Sequence, residues 1–113
     1  MKIKIGNKVF TATLYDNASV NALKGLLPMT VDMIELNANE KYVDLRRELP
    51  TAAANPVTIE AGDLMLYGSS TFVLFYKTFA TSYAYTKLGR IDDTAGLAAA
   101  LGSGNVLVTY ELE

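Results

Sequence analysis

The apolar residues of this chain come in short runs, and turn-forming residues end each run before it grows into a long helix or strand. Ile3 and Ile5 alternate with Lys2 and Lys4, the period of two expected of a half-buried strand. Gly6-Asn7 tolerates positive φ at both positions, which is hairpin chemistry. The return segment Val9–Tyr15 then puts Phe10, Ala12 and Leu14 on one face. Further strands are predicted at Thr30–Leu36, Tyr42-Val43, Val57–Ile59, Leu64–Tyr67, Thr71–Thr78, Tyr85–Ile91 and Val106–Leu112. Leu64–Tyr67 is apolar throughout, and Thr71–Thr78 is rich in β-branched and aromatic residues, which suit a pleated surface.

Only two segments read as helix, and both are short. Asp16, Asn17 or Ser19 caps a run in which Val20, Leu23, Leu26 and Leu27 recur at helical spacing. Gly25 weakens that run and Pro28 stops it. Asp92-Asp93-Thr94 caps a second helix, Ala95–Leu101, which Gly102 ends. Many short strands spaced by turns predict a mainly β fold, closed as a barrel or stacked as a sandwich, with the helices plugging the open ends of a barrel. Closure matters because open apolar edges invite aggregation. The length, 113 residues, fits one domain over residues 1–113.

Composition removes whole classes of chemistry. There is no histidine, cysteine or tryptophan. Disulfides, thiolate metal sites, the Ser-His-Asp triad and most transition-metal sites are therefore excluded. Glu60 and Asp63 supply at most two hard oxygen ligands, short of a calcium or magnesium site, so no metal or other cofactor is expected. The net charge is −2, and the basic residues, among them Lys2, Lys4, Lys8, Arg46, Arg47, Lys77, Lys87 and Arg90, are scattered. That is no footprint for nucleic acid. The apolar, uncharged stretch Leu64–Tyr76 is broken by Gly68-Ser69-Ser70, so no membrane helix is expected. The N-terminal segment alternates instead of forming the apolar core of a signal peptide, which predicts a cytoplasmic protein.

The order of elements, with Gly62-Asp63 before the apolar run Leu64–Tyr67, then Thr71–Phe79, then Tyr85-Thr86-Lys87-Leu88-Gly89-Arg90-Ile91, resembles cyclophilin. It is most similar to the small bacterial cyclophilin-like domains, over nearly the whole chain. The resemblance implies a closed eight-stranded, mostly antiparallel barrel with a short helix at each end. It also implies a groove on the barrel's outer face. True cyclophilins line that groove with an arginine, a phenylalanine and methionine pocket, a tryptophan and a histidine. Here Arg46 and Arg47 lie in the corresponding part of the chain, without the flanking histidine or the Pro-Gly-Phe turn. Thr71 stands for the family's glutamine, Val73 for its pocket phenylalanine and Tyr85 for its histidine, while the tryptophan is lost near Ala80. The resemblance thus implies the fold without the usual prolyl-isomerase residues.

Tyrosine is what the chain offers instead. Four of its seven tyrosines, Tyr67, Tyr76, Tyr83 and Tyr85, fall between residues 67 and 85. Tyrosine gives large contact area, little rotamer entropy to lose and a polar tip. Together with Phe72, Phe75, Arg46 and Arg47 these four are the candidate ligand-binding residues. With Lys77, Lys87 and Arg90 nearby in sequence, they predict a groove for an acidic or aromatic small ligand. The expected function is binding of a peptide or small molecule, with no active prolyl isomerase. The alternatives are a divergent peptidyl-prolyl cis-trans isomerase and a domain that docks a protein partner. An arginine beside Phe72 or Phe75 would favour the isomerase, a concave tyrosine pocket a small ligand, and a flat aromatic patch a protein.

Overall fold

A computed structural model describes residues 1–113. The elements in chain order are β1 (Lys2–Ile5), β2 (Lys8–Leu14), α1 (Ala18–Lys24), β3 (Met29–Leu36), β4 (Glu40–Asp44) and β5 (Thr58–Ile59). They continue with β6 (Asp63–Tyr67), β7 (Thr71–Phe75), β8 (Phe79–Ala80), β9 (Thr86–Ile91), α2 (Leu97–Leu101) and β10 (Val106–Glu111). Eight strands close into a barrel in the order β1-β10-β3-β4-β7-β6-β9-β2, and every neighbouring pair is antiparallel. β5 and β8 pair separately as a two-stranded ribbon. No helix is long and apolar enough to cross a membrane.

The helices sit at opposite ends of the barrel, for a topological reason. α1 follows β2 and α2 follows β9, and these two strands are antiparallel neighbours, so the chain leaves them in opposite directions. Val20 and Leu23 of α1 and Leu97 and Leu101 of α2 all enter the barrel core. Asn17 caps α1, accepting from the Val20 N–H at 2.8 Å, and Gly25 ends it. α2 is shorter than the sequence predicts. Asp93 accepts from the Ala95 N–H, and Thr94 accepts from the Leu97 N–H, so the acidic cluster stabilises a turn ahead of the helix. Gly96, at φ 79°, then opens α2 without any side-chain cap.

Two apolar clusters lie on either side of one stretch of wall. Inside the barrel, Leu64 and Leu66 of β6 and Phe72 and Leu74 of β7 join Ile3, Phe10, Met33, Val108 and Tyr110. Outside, Met65, Val73 and Phe75 pack with Ile59 and Tyr85, and with the half-buried Tyr42 and Phe79. This is why β6 and β7 read as continuous apolar runs: the β5–β8 ribbon and Tyr85, ahead of β9, cover their second face. β7 stops at Phe75, short of the predicted Thr78, because the chain must turn there to bring Phe79 and Ala80 against β5.

Two motif glycines hold this wall in register. A side-chain carbon at Gly89 would stand 2.4 Å from the Thr13 carbonyl oxygen, where β2 and β9 meet. Gly62 has φ +94°, and a side-chain carbon there would lie 2.6 Å from Thr94 Cγ2. The first is a close approach between backbones and the second a left-handed turn into β6, and both need glycine.

Candidate functional site

The outer face of β4, β7 and β6 is a surface of register pairs. Thr71 lies opposite Asp44 and Tyr67, and its hydroxyl donates to Asp44 Oδ1 at 2.8 Å. Val73 lies opposite Tyr42 and Met65. Onto this surface the segment before β9 brings Tyr83 and Tyr85. It is pinned by a two-way backbone bridge between Tyr85 and Ala54, with bonds of 2.9 and 3.0 Å. The rings then form a continuous series. Tyr67 meets Tyr83 at 6.1 Å and 88° and Tyr85 at 5.5 Å, while Tyr85 meets Phe75 at 5.5 Å and 86°. Phe75 in turn meets Phe79 at 5.7 Å. These are favourable edge and tilted geometries.

The series borders a hollow of about 250 Å³. Tyr42, Tyr67, Tyr83 and Tyr85 line it, over a floor of Thr71 and Val73, and Leu36, Asn37 and Glu40 close one end. Tyr67 is 46% exposed and Tyr83 61%, whereas Tyr85 is 7% exposed. The outer rings are thus free to meet a guest, and the inner one is fixed.

Glu40 is the hollow's one formal charge. It is 8% exposed, and its carboxylate makes neither a hydrogen bond nor an ion pair within the protein. Burial pushes its carboxyl above the ordinary glutamate value, and the Glu35 charge adds to the effect. Burial likewise raises Tyr85, with the Glu40 charge next in importance.

Residue 41 faces the other way. Lys41 pairs with Leu74 in register, is fully buried, and enters the end of the barrel closed by α2. Its ammonium donates to the carbonyls of Gly102 and Gly104 and lies 3.0 Å from Glu35 Oε1. The Tyr76 hydroxyl donates to the same carboxylate oxygen at 2.5 Å, and the Tyr76 ring lies 5.5 Å from the ammonium. Burial and the bond to Glu35 push the Tyr76 phenol up to about 12. For Glu35 burial acts upward, but bonds from Tyr76, Lys41 and the Ala38 N–H outweigh it and leave the carboxyl below its ordinary value.

Of the sequence candidates, Tyr67, Tyr83 and Tyr85 come together on the hollow. Phe75 lies behind Tyr85 and is fully buried. Phe72 points into the barrel, 4.9 Å from the Tyr110 ring, and Tyr76 belongs to the Lys41 cluster, so neither reaches the hollow. Strand alternation separates Phe72 from Thr71 and Val73. Arg46 and Arg47 are exposed and lie by Leu26 at the end of α1, away from the tyrosines. Lys87 and Arg90 border a different, polar hollow with Glu60, Asp63 and Asp92, and Lys77 lines neither. In that second hollow, burial leads in pushing the Asp63 carboxyl upward.

Glu40 and Tyr42 were missed. Asn37–Glu40 reads as a turn, and in Glu40–Val43 the sequence gives no reason to send a lysine inward and a glutamate out. The available signal was Tyr42-Val43: a two-residue strand places alternate neighbours, Glu40 and Tyr42, on a common face.

The three positions matched by resemblance to the cyclophilin groove, Thr71, Val73 and Tyr85, all line this one hollow on the outer wall. No group of three acidic side chains converges as a metal site would require. No curated protein and no solved structure matches the chain. A family model described as the cyclophilin-like family matches residues 3–111. On that match, and on its closed antiparallel barrel with a helix at each end, this chain belongs to the cyclophilin-like family.

Proposed function

We propose that the protein is a binding module that takes a small molecule or a short peptide segment in the tyrosine hollow, without acting as a prolyl isomerase of the usual kind. One observation carries this reading. Tyr42, Tyr67, Tyr83 and Tyr85, from three separate parts of the chain, converge on a concave surface, with two of the rings substantially exposed. A concavity lined by aromatic side chains with a few polar groups is the usual form of a ligand site, whereas a protein-docking patch is flatter and wider. The isomerase alternative needs a donor aimed at the prolyl nitrogen, and neither an arginine nor a lysine lines the hollow.

The test is a screen of small metabolites and short peptides, read by tyrosine ring resonances and thermal shift. The expected hits move Tyr67, Tyr83 and Tyr85, and Tyr83→Ala weakens them by at least about tenfold. Hits that map to the Arg46 surface, or that Tyr83→Ala leaves untouched, would overturn the reading. A protease-coupled proline-peptide assay run beside it is expected to show only the uncatalysed rate.

A further inference from the structure

We infer that the tyrosine hollow selects a cation: an organic ammonium group on a short aliphatic stem, held between the Glu40 carboxylate and the phenol rings around it. The inference rests on the proposal that this hollow is the binding site, and it specifies what the site accepts.

Three observations lead to it. First, Glu40 is more than nine-tenths buried and has no partner in the protein, yet it borders the hollow. A buried carboxylate normally has hydrogen bonds or an ion pair to offset its lost hydration. The neighbouring carboxylates are met from inside the protein. Glu35 has Lys41 and Tyr76, and Asp44 has Thr71. Glu40 is left as the group that a guest would satisfy.

Second, no basic side chain lines the hollow. Lys41, adjacent in sequence, is committed to Glu35 and two carbonyls on the other side of the wall. The anionic ligand expected from Lys77, Lys87 and Arg90 would therefore meet Glu40 with no cation beside it.

Third, the other walls are electron-rich. Ring faces attract a cation through their quadrupole, and phenol oxygens through their lone pairs. Tyr67 and Tyr83 stand at 88° to each other, which makes an aromatic corner. Four tyrosines and one carboxylate around a small hollow match the requirements of an ammonium group, whether primary or methylated.

Size narrows the class. At about 250 Å³ the hollow is smaller than the pockets that hold drug-sized molecules. It suits an ammonium head and a few methylenes, carried by a free amine or by a lysine side chain of a peptide. The raised carboxyl of Glu40 agrees with this, since an unpartnered carboxylate gains most from a cation placed against it.

The test titrates the full chain with choline, butylammonium, the uncharged carbon isostere of choline and butyrate. A capped trimethyl-lysine provides the peptide-borne form. Tyrosine ring resonances report occupancy. The expected result is that the cations move Tyr67, Tyr83 and Tyr85 and bind at least about tenfold tighter than the neutral isostere, with butyrate weaker still. Capped trimethyl-lysine binding more tightly than choline would identify a peptide source, and the reverse a free amine; either supports the inference. Glu40→Gln, which keeps shape and removes charge, should lose at least about tenfold in cation affinity while its melting temperature at neutral pH holds or rises. A purely structural glutamate would not give that split. Equal binding of the isostere, or unchanged cation affinity in Glu40→Gln, would overturn the cation while leaving the hollow as the binding site. If the cations leave the three tyrosines unmoved, the ammonium inference fails, and the broader screen then decides on the hollow itself.

Discussion

Glu40 and Lys41 are neighbours in β4 and look to opposite sides of the same wall. Lys41 enters the barrel, where two glycine carbonyls and Glu35 surround its ammonium and Tyr76 completes the cluster. Glu40 faces out beneath the tyrosines and is given nothing. Both are buried and both are charged. The inner charge is fully satisfied and ties α2 and the loop after it to β3, β4 and the end of β7, so it is part of what keeps the barrel closed. The outer charge works against the fold in isolation. The difference teaches that burial of a charge does not by itself identify a site. A missing internal partner at the edge of a concave surface is what makes Glu40, and not Lys41, the candidate.

Substitutions can break this contrast, beginning with the inner side. Lys41→Ala leaves Glu35 and two carbonyls without their cation, and is expected to cost about 3–5 kcal/mol in chemical denaturation. An unaltered midpoint would mean that the cluster is solvated and the contrast false. Tyr76→Phe removes one hydrogen bond to a carboxylate and should cost about 1.5–3 kcal/mol by the same measurement. On the outer side, Glu40→Gln should stabilise the protein at neutral pH by about 1 kcal/mol or less, since a neutral amide replaces an unpaired charge. Tyr83→Ala, at a strongly exposed ring, should leave stability within about 0.5 kcal/mol while still weakening ligand binding.

The two carboxyls also predict opposite responses to pH. Glu35 is held below its ordinary value, so its contribution is present above the unfolded value and is lost as pH falls through the lower folded one. Glu40 is held above its ordinary value, so its ionised form costs stability as pH rises from the unfolded value through the folded one. The ionisable groups facing it are Tyr42 from β4, Tyr67 from β6 and Tyr83 and Tyr85 before β9, while Glu35 and Tyr76 act on it by charge from the other side of the wall. The stability gap between Glu40→Gln and the unmodified chain should therefore open between mildly acidic and neutral pH, and vanish below about pH 4. A gap independent of pH would remove Glu40's ionisation as its cause.

The barrel was legible because alternation and turn chemistry repeat along the chain. Ile3, Ile5, Phe10 and Ala12 point inward as their spacing requires, and Asn17 caps the first helix. The tyrosine site was legible in part. Tyr67, Tyr83 and Tyr85 converge, but Phe72 and Tyr76 belong to the opposite face of β7 and of the segment that continues it. A run that is apolar on every residue carries no phase, so it cannot say which of its members face in. The β5–β8 ribbon was illegible for a related reason: each strand has two residues, too few for any period to appear. Arg46 and Arg47 followed from resemblance alone, and the loop after β4 carries them toward the end of α1. Lys41 was the least legible, because an inward lysine makes sense only once Glu35 and the glycine carbonyls are seen around it.

Closure of the barrel limits how anything can be recognised on this molecule. Each of its eight strands has a partner on both sides, so no row of free backbone N–H and C=O groups runs along the wall. An extended peptide cannot add itself to the sheet as an extra strand, the mode that reads main chain and is nearly indifferent to side chains. The β5–β8 ribbon has edges, but only two residues long. Whatever occupies the hollow must be held by what the side chains of β4, β6, β7 and the segment before β9 present. Discrimination then rests on the guest's functional group, and its polymer backbone is irrelevant to the contact.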